Sequence, residues 1–371
     1  MGKDLLNDRF GRFRELPLGL ARLGNEVAGL AFSYRRREEG ATLDSDRSEI
    51  HGVMWHSINA TNGFAPQLGK AMRQALKRAR DFKPDIIWAC SDAYHALFGR
   101  WLAKRVGSPC VVDLYDNFEA FTASRFPGVV PLFRRAVKAA EGVTCFSNRL
   151  ADHIVRTYQR AKPITVIENG TRKDLFYPRD QKDCRQRLNL PENARIIGIA
   201  GALDSSRGIE TLFRAYERLA VDFDNLHLAL AGPRKRGLRL PNGRRLHDLG
   251  ILPHEEVPTF FNSLDVGVVC YRQSPQGEYS FPQKAYEIMA CRVPLMAAAV
   301  GTMIELLGEY PQCLYEPGSP ESLADGIRWQ LKNRTVVDAG VPAWTDSARR
   351  LHDFLEATVH ETQTIMALDP R

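Results

Sequence analysis

No run in this 371-residue chain is apolar for long enough to span a bilayer, and its charged start lacks the hydrophobic stretch of a secretory leader. Neither insertion into a membrane nor export is expected. No CxxC pair and no His/Cys cluster has the spacing of a metal site. The seven cysteines, Cys90, Cys110, Cys145, Cys184, Cys270, Cys291 and Cys313, are odd in number and scattered, most within apolar runs. They are expected to be reduced, buried thiols of a cytoplasmic protein, not a disulfide frame. There is no Walker loop, no Ser–His–Asp or Cys–His order with supporting context, and no short repeat or low-complexity tract. These absences remove P-loop chemistry, nucleophilic hydrolysis and solenoid architectures from consideration.

What remains is ordinary globular material. The chain is 44% hydrophobic and 26% charged, and its length suits two domains. A formal charge of +7 favours acidic partners such as nucleotide phosphates, nucleic acid or anionic lipid.

Strands and helices alternate along it. Residues 13–23 read as a helix and 27–34 as a strand; only 4–7 remain for an earlier strand, which is short or missing. A polar loop is expected from 35 to 48. Its Asp44-Ser45-Asp46, like Asp222-Phe223-Asp224, is a DxD string that follows no clear strand end, so chance explains both better than a metal does. Helices are expected at 64–81, 94–105 and 132–140, with strands at 85–89, 109–114, 143–146 and 164–168. Ser147 is placed to cap the next helix, and Asn169-Gly170 is a turn signal. From 171 to 193 the chain turns polar, with Pro178 and Pro191, and a domain boundary is expected there. A second series follows: strands at 196–200, 226–231, 266–270, 295–298 and 313–315, with helices at 209–220, 257–262 and 319–333. An amphipathic helix at 344–359 could return to brace the first domain. The expected fold is α/β, two facing doubly wound domains at 1–170 and 171–343, with residues 344–371 packing back on the first.

The most informative stretch is 277–294, GEYSFPQKAYEIMACRVP. Gly277 opens it with turn chemistry. Pro282 suits the first turn of a helix. Lys284 and Glu287 then share one face, while Ala285, Ile288, Met289 and Cys291 offer an apolar side. A helix start offers free N–H groups to an anion, a lysine there adds a full charge, and a glutamate one turn on could accept hydroxyl hydrogen bonds. A ligand with phosphate at one end and sugar or ribose at the other would fit; the bland alternative is a surface Lys–Glu pair. The loop 201–208 sits between a strand and a helix in the same series, with Gly201 permitting close approach and Arg207 set at the helix start for phosphate oxygens. Tyr115, Asp116 and Asn117 lie just past a parallel strand, where open α/β sheets hold ligands; turn capping is the alternative for Asp116 and Asn117. His95 is the histidine best placed for a site, although a structural role explains it better. The basic run Arg234, Lys235, Arg236, Arg239, Arg244, Arg245 lacks aromatic interleaving, which argues against nucleic acid. It and Arg134, Arg135 and Lys138 read as solvated surface, with an anionic acceptor or lipid surface as the alternative.

Several strings resemble glycosyltransferase family four, retaining transferases of GT-B architecture. Ile167-Glu168-Asn169-Gly170-Thr171 with Phe176 and Pro178 is similar to that family's inter-domain string. The 201–208 loop is similar to its "G-R-L … K-G" loop, Leu230-Ala231-Gly232 to its glycine-bearing strand end, and 281–294 to its "P-x-K-x-x-E-x-M-A-x-G-x-P" stretch. Residues 16–27 resemble its start.

The resemblance implies a retaining enzyme that moves a sugar from a nucleotide-diphosphate sugar to a hydroxyl acceptor, small, glycan or lipid-linked, with no cofactor and no metal. By it, Arg207 would meet the donor diphosphate, Lys284 the same phosphates or the donor sugar, Glu287 the ribose, and Asp116 would match the acid of an "H-D" pair; Tyr115, Asp116, Arg207 and Lys284 form the expected catalytic set. Gly11, Gly201, Ala202, Tyr279, Ser280 and Phe281 complete the expected donor site. The departing phosphate would take the acceptor proton, so no protein nucleophile is demanded. The chain departs from the pattern at four places: Ala202 stands for an arginine, Tyr115 for the histidine of the pair, Tyr279 for the first glutamate of an E-x7-E pair, and Arg292 for a glycine. A nucleotide-sugar epimerase and a catalytically weak binding partner of another transferase stay as alternatives. The expected location is cytoplasmic, with peripheral contact with the inner face of an anionic membrane also open.

Overall fold

The structure is a computed structural model and describes residues 10–33, 45–50, 52–59, 65–121, 124, 126–275, 277–280 and 283–368. The chain divides into two compact units, Met1–Asn169 with Trp344–Arg371, and Gly170–Ala343.

In the first unit, α1 (Arg12–Arg22) begins at Gly11, whose φ of 87° serves as its cap. The Gly11 carbonyl accepts the Arg14 and Glu15 N–H groups, both at 2.9 Å. β1 (Val27–Ser33), β2 (Ser45–Ile50) and β3 (Val53–Asn59) form a sheet in the order β1-β3-β2. β1 and β3 run parallel, β2 and β3 antiparallel. The expected loop to residue 48 is thus wrong from Ser45 onward. β2 reads SDRSEI, and an edge strand held by backbone pairing needs no apolar alternation to betray it. The short strand expected at 4–7 and Asp44 of the first DxD string lie outside the described residues.

α2 (Ala65–Phe82) leads to a βα series: β4 (Ile87–Ala89), α3 (Ala93–Val106), β5 (Cys110–Leu114), α4 (Val129–Ala139), β6 (Gly142–Cys145), α5 (Asn148–Tyr158) and β7 (Ile164–Val166). The four strands lie in chain order, all parallel. β5 and β6 are wholly buried, as strands covered on both faces must be. Ser147 caps α5 by accepting the Leu150 N–H. A buried ion pair ties the unit together: Arg12 donates Nε and Nη2 to the two Asp113 carboxylate oxygens, at 2.8 and 2.6 Å. Thr144 donates to the same carboxylate at 2.6 Å. The Arg12 Nη1 also reaches the Ile167 carbonyl at 2.7 Å and Asn169 Oδ1 at 3.1 Å. Asn169-Gly170 is therefore no turn; residues 167–170 run on from β7 without one, and Arg12 fixes that exit.

The second unit contains α6 (Gln181–Arg187), β8 (Arg195–Ala200), α7 (Ile209–Asp222), β9 (Leu226–Ala231), β10 (Leu246–Asp248), α8 (Val257–Ser263), β11 (Val266–Val269), α9 (Gln283–Ala290), β12 (Leu295–Ala298), α10 (Thr302–Leu306), β13 (Leu314–Tyr315) and α11 (Pro320–Asn333). Its six strands, all parallel, run β10-β9-β8-β11-β12-β13. One apolar cluster gathers Phe260, Phe261, Ile288 and Leu295, and another Leu212, Leu219, Leu228 and Ile327. The polar 171–193 segment is no loose linker. It carries α6, and Phe176 and Leu190 are buried in the first cluster. Arg185, itself buried, bonds Asp265 Oδ2 at 2.7 Å and the Ser263 carbonyl at 2.9 Å.

α12 (Trp344–Leu368) then crosses back to the first unit and runs nine residues beyond the expected end at 359. Its Trp344, Ala348, Leu351 and Leu355 join Leu16, Leu20, Val111 and Ile167 in one core. All seven cysteines are free; six are buried and Cys90 is half-buried. No helix among the described residues is long and apolar enough to cross a membrane.

Candidate active site

Numbered along the chain, the strands of the second sheet run third, second, first, fourth, fifth, sixth, so the order reverses between β8 and β11. Open α/β sheets take ligands outside the carboxyl ends of the strands at such a reversal. Two segments leave the sheet there, one starting at Gly201 after β8 and one at Cys270 after β11; α9 is the next α-helix after the second.

Lys284, in the first turn of α9, lies directly on Gly201. A Cβ added to Gly201 would sit 2.0 Å from the lysine Cε and 2.4 Å from its Nζ. Gly201 also has φ 109°, a conformation that side chains resist. Glycine is required twice over, once for the backbone and once to admit the amine. Gly232, just past β9, also packs tightly on Gly201: a Cβ there would lie 2.1 Å from the Gly201 carbonyl oxygen. The Lys284 side chain is thus delivered to the sheet edge where the strand order turns.

Burial lowers the Lys284 pKa; Glu287 opposes that shift and Arg207 adds to it. The two cations therefore feel each other, and the amine is poised to gain from an anion. Arg207 itself does not stand at the helix start. It closes a 3-10 turn, Ser205–Arg207, capped by Asp204 and separated from α7 by Gly208. Its side chain is exposed, with Nη1 donating to the Tyr271 hydroxyl at 3.3 Å and the guanidinium 5.8 Å from that ring. Tyr271, the guide for Arg207, had no signal in the sequence beyond its place after a strand.

Glu287 is half-buried on α9, while Ala285, Tyr286, Ile288 and Met289 are buried and pin the helix. Gly277–Tyr279 forms a 3-10 turn, and Ser280 is buried. Gly301 abuts this turn: a Cβ there would lie 2.3 Å from the Glu278 carbonyl oxygen. Phe281 and Pro282 lie outside the described residues. Ala202 is exposed beside Gly201. Arg292, where a glycine is usual, holds φ 55° as α9 ends.

The other expected residues belong to the first unit. Pairing of Ala89 with Val112 in β4 and β5 carries Asp92 to the level of Tyr115. Tyr115 packs edge-on against Phe13 at 4.8 Å and Phe118 at 5.2 Å. The Phe13 contact sets the start of α1, with Gly11, beside the end of β5. Burial raises the Tyr115 pKa, and Asp116, Asp92, Asp113 and Cys90 push it further up. The phenol stays protonated and able to donate. Asp116 Oδ1 accepts the Asn117 N–H at 2.8 Å, so it also shapes its own turn.

Asp92 was missed. It caps α3, accepting the His95 N–H at 2.9 Å and the His95 Nδ1 at 2.8 Å. Burial works against its charge, but the bonds and charge of His95 hold its pKa below the usual carboxylate value. Ser91 before it has φ 107°, rare for a side-chain-bearing residue. The signal lay in the sequence: an aspartate three residues before a histidine, at a strand-to-helix junction. One turn beyond Asp116, Glu119 is held by Arg134 at 2.8 and 2.6 Å and by the Tyr158 hydroxyl, which braces the segment that follows β5. Arg134 is thus an ion-pair partner rather than a loose surface charge. In the basic run, Arg245 meets the carbonyls of Phe223 and Asp224 at the end of α7, at 2.9 and 2.8 Å, while Arg234 and Lys235 pair with Asp248 and Asp204.

Comparison with known proteins gives this geometry a context. The family model described as Glycosyltransferase Family 4 matches residues 12–175, and that described as Glycosyl transferases group 1 matches 180–341. A D-inositol 3-phosphate glycosyltransferase of Stackebrandtia nassauensis is 30% identical over 311 residues, covering 74% of this chain and 68% of that protein. Its counterpart from Streptosporangium roseum is 26% identical over 290 residues, covering 68% of this chain and 65% of that protein. The chain thus spans about two thirds of the length of these two relatives, and 36% of the Mycobacterium tuberculosis protein of the same name. Among solved structures, Anabaena HepE in complex with UDP matches with a TM-score of 0.67 at 18% identity, covering 96% of each chain. Sucrose-phosphate synthase from Thermosynechococcus elongatus matches with a TM-score of 0.67 at 19% identity, covering 96% of this chain and 92% of that one. With both halves matched and a relative of this identity and coverage, the chain belongs to glycosyltransferase family four.

Proposed function

We propose that this protein transfers a sugar from a nucleotide-diphosphate sugar to a hydroxyl acceptor with retention, the second unit holding the donor and the first the acceptor. The observation that carries the reading is the Lys284 amine seated on Gly201 at the strand-order reversal. A cation so placed, with Arg207 close enough to disfavour its charge, is relieved by a diphosphate. Lys284, Arg207 and helix starts meet the leaving group's charge in this scheme, with no metal assigned a part. Glu287 takes the ribose, and Gly201, Ala202, Tyr279 and Ser280 line the donor's path on the second unit. Structures of HepE with UDP, UDP-glucose, and UDP with glucose support uridine nucleotides as the first donors to try. On the acceptor side, Asp116, Tyr115 and the Asp92–His95 pair gather polar groups at the ends of β4 and β5. The acceptor class includes lipid-linked hydroxyls and inositol phosphates, the latter suggested by the named relatives. A role in making envelope polysaccharide on the cytoplasmic side of a membrane fits such an acceptor.

The test is turnover of UDP-sugars by the full chain. Lys284→Ala and Arg207→Ala should each lower the rate about a hundredfold, the scale for losing one donor to developing charge. Asp116→Asn should slow transfer while leaving the UDP-induced thermal shift intact. Near-normal rates in both cation variants would overturn the assignment of the diphosphate.

A further inference from the structure

At the opposite edge of the first unit, where chain enters β4 and β5 rather than leaves them, lies a groove of about 430 Å³. The ends of α2 and α3 and the last turns of α12 line it, with Arg80, Lys83, Arg105 and Met366 among the contributors and Asp85 the one acid. Arg80, Lys83 and Asp85 are exposed, and among the described residues no ion pair holds any of the three. Arg105 is exposed above the Trp101 ring. Beside this cationic rim α12 ends in Ile365-Met366-Ala367-Leu368, where Ile365, Met366 and Leu368 are 59%, 58% and 81% exposed. Consecutive residues of a helix point in different directions, so this last turn is apolar all round. A helical turn of that kind belongs in an apolar surrounding.

We propose that this edge is a docking surface for an anionic phospholipid bilayer: the α12 tip enters the headgroup–acyl boundary while Arg80, Lys83 and Arg105 meet lipid phosphates. Both halves of the surface are needed to choose the occupant. An acidic peptide would leave the tip exposed, and a second copy of the chain would set cation against cation. A negatively charged bilayer offers apolar depth and anionic headgroups side by side, the combination that interfacial helices use. The surface is independent of the donor site and stands or falls apart from it.

Co-sedimentation of the full chain with vesicles tests this. With phosphatidylcholine containing about a third phosphatidylglycerol the protein should pellet, less so as salt is raised, and with phosphatidylcholine alone it should not. Each cation removed should weaken binding about fivefold, so Arg80→Gln/Lys83→Gln/Arg105→Gln should lose about a hundredfold. Ile365→Asp/Leu368→Asp should abolish pelleting. The substituted side chains are exposed, and unchanged thermal melts will show that both variants fold. A wild type that stays in the supernatant with anionic vesicles overturns the proposal, as do variants that pellet like it. So does a lipid-free dimer in analytical ultracentrifugation that Ile365→Asp/Leu368→Asp dissolves, because the tip then seats a second copy.

Discussion

Lys284 is held under two opposed demands. Its amine sits in a place that penalises the charged form, and a diphosphate would need that form. Its folded pKa lies below an ordinary lysine's 10.5, so the sign is fixed. The charge costs the empty fold stability at every pH below the lowered pKa, and that cost fades as pH climbs from there towards 10.5. Lys284→Met should therefore melt higher than wild type without ligand, by about 2–4 °C for each kcal/mol relieved, and show little thermal shift with UDP. For wild type, UDP affinity should begin to fall at a pH below that of a free lysine, and calorimetry across the alkaline range should find that limb missing in Lys284→Met. A variant that melts lower and binds as before would remove Lys284 from the site. Much of this was legible in the sequence, because Gly201 directly follows a strand and Lys284 opens a helix. That the amine lies on the glycine was not: contact between residues 83 positions apart is set by the strand order, which periodicity does not report. Asp92 escaped for a different reason. Short polar residues before helices are common caps, and only its second bond, to the His95 ring, sets it apart.

Most elements that bury long apolar runs were legible, but β3 was not, although its Val53, Trp55 and Ile58 are buried. β9 and β12 fall where apolar runs place them, and Ser319 caps α11 as Ser147 caps α5. β2, β10, α6 and α10 did not show either. β10 is three residues at the sheet edge, and α6 (QKDCRQR) buries only Cys184 and Arg185, the second through its hydrogen bonds. The contact of α1 with α12 was legible only as two amphipathic patterns. Its closeness depends on Gly19, where an added Cβ would lie 2.3 Å from the Ala348 Cβ. Gly19→Val should force the helices apart and cost about 1–3 kcal/mol, the usual toll of overpacking. A thermal melt reads it directly, and an unchanged midpoint would mean the seam yields without loss.

At the scale of the molecule, two cores with separate strands should melt as two events. A nucleotide bound by the second unit raises the stability of that unit alone, by about 2.7 kcal/mol at a hundredfold excess over Kd. Calorimetry of the full chain with UDP should move one transition and leave the other, and Gly19→Val should lower only the one UDP leaves in place. Movement of both by UDP would place nucleotide contacts in each unit. The return of α12 has a consequence for how the protein is made. Residues 170–343 emerge from the ribosome as a complete unit, whereas the first-translated half still lacks Trp344, Ala348, Leu351 and Leu355. Synthesis therefore completes the second unit before the first, and the nascent first unit must wait, its apolar seam uncovered, for Trp344 to Leu355 to supply its lid.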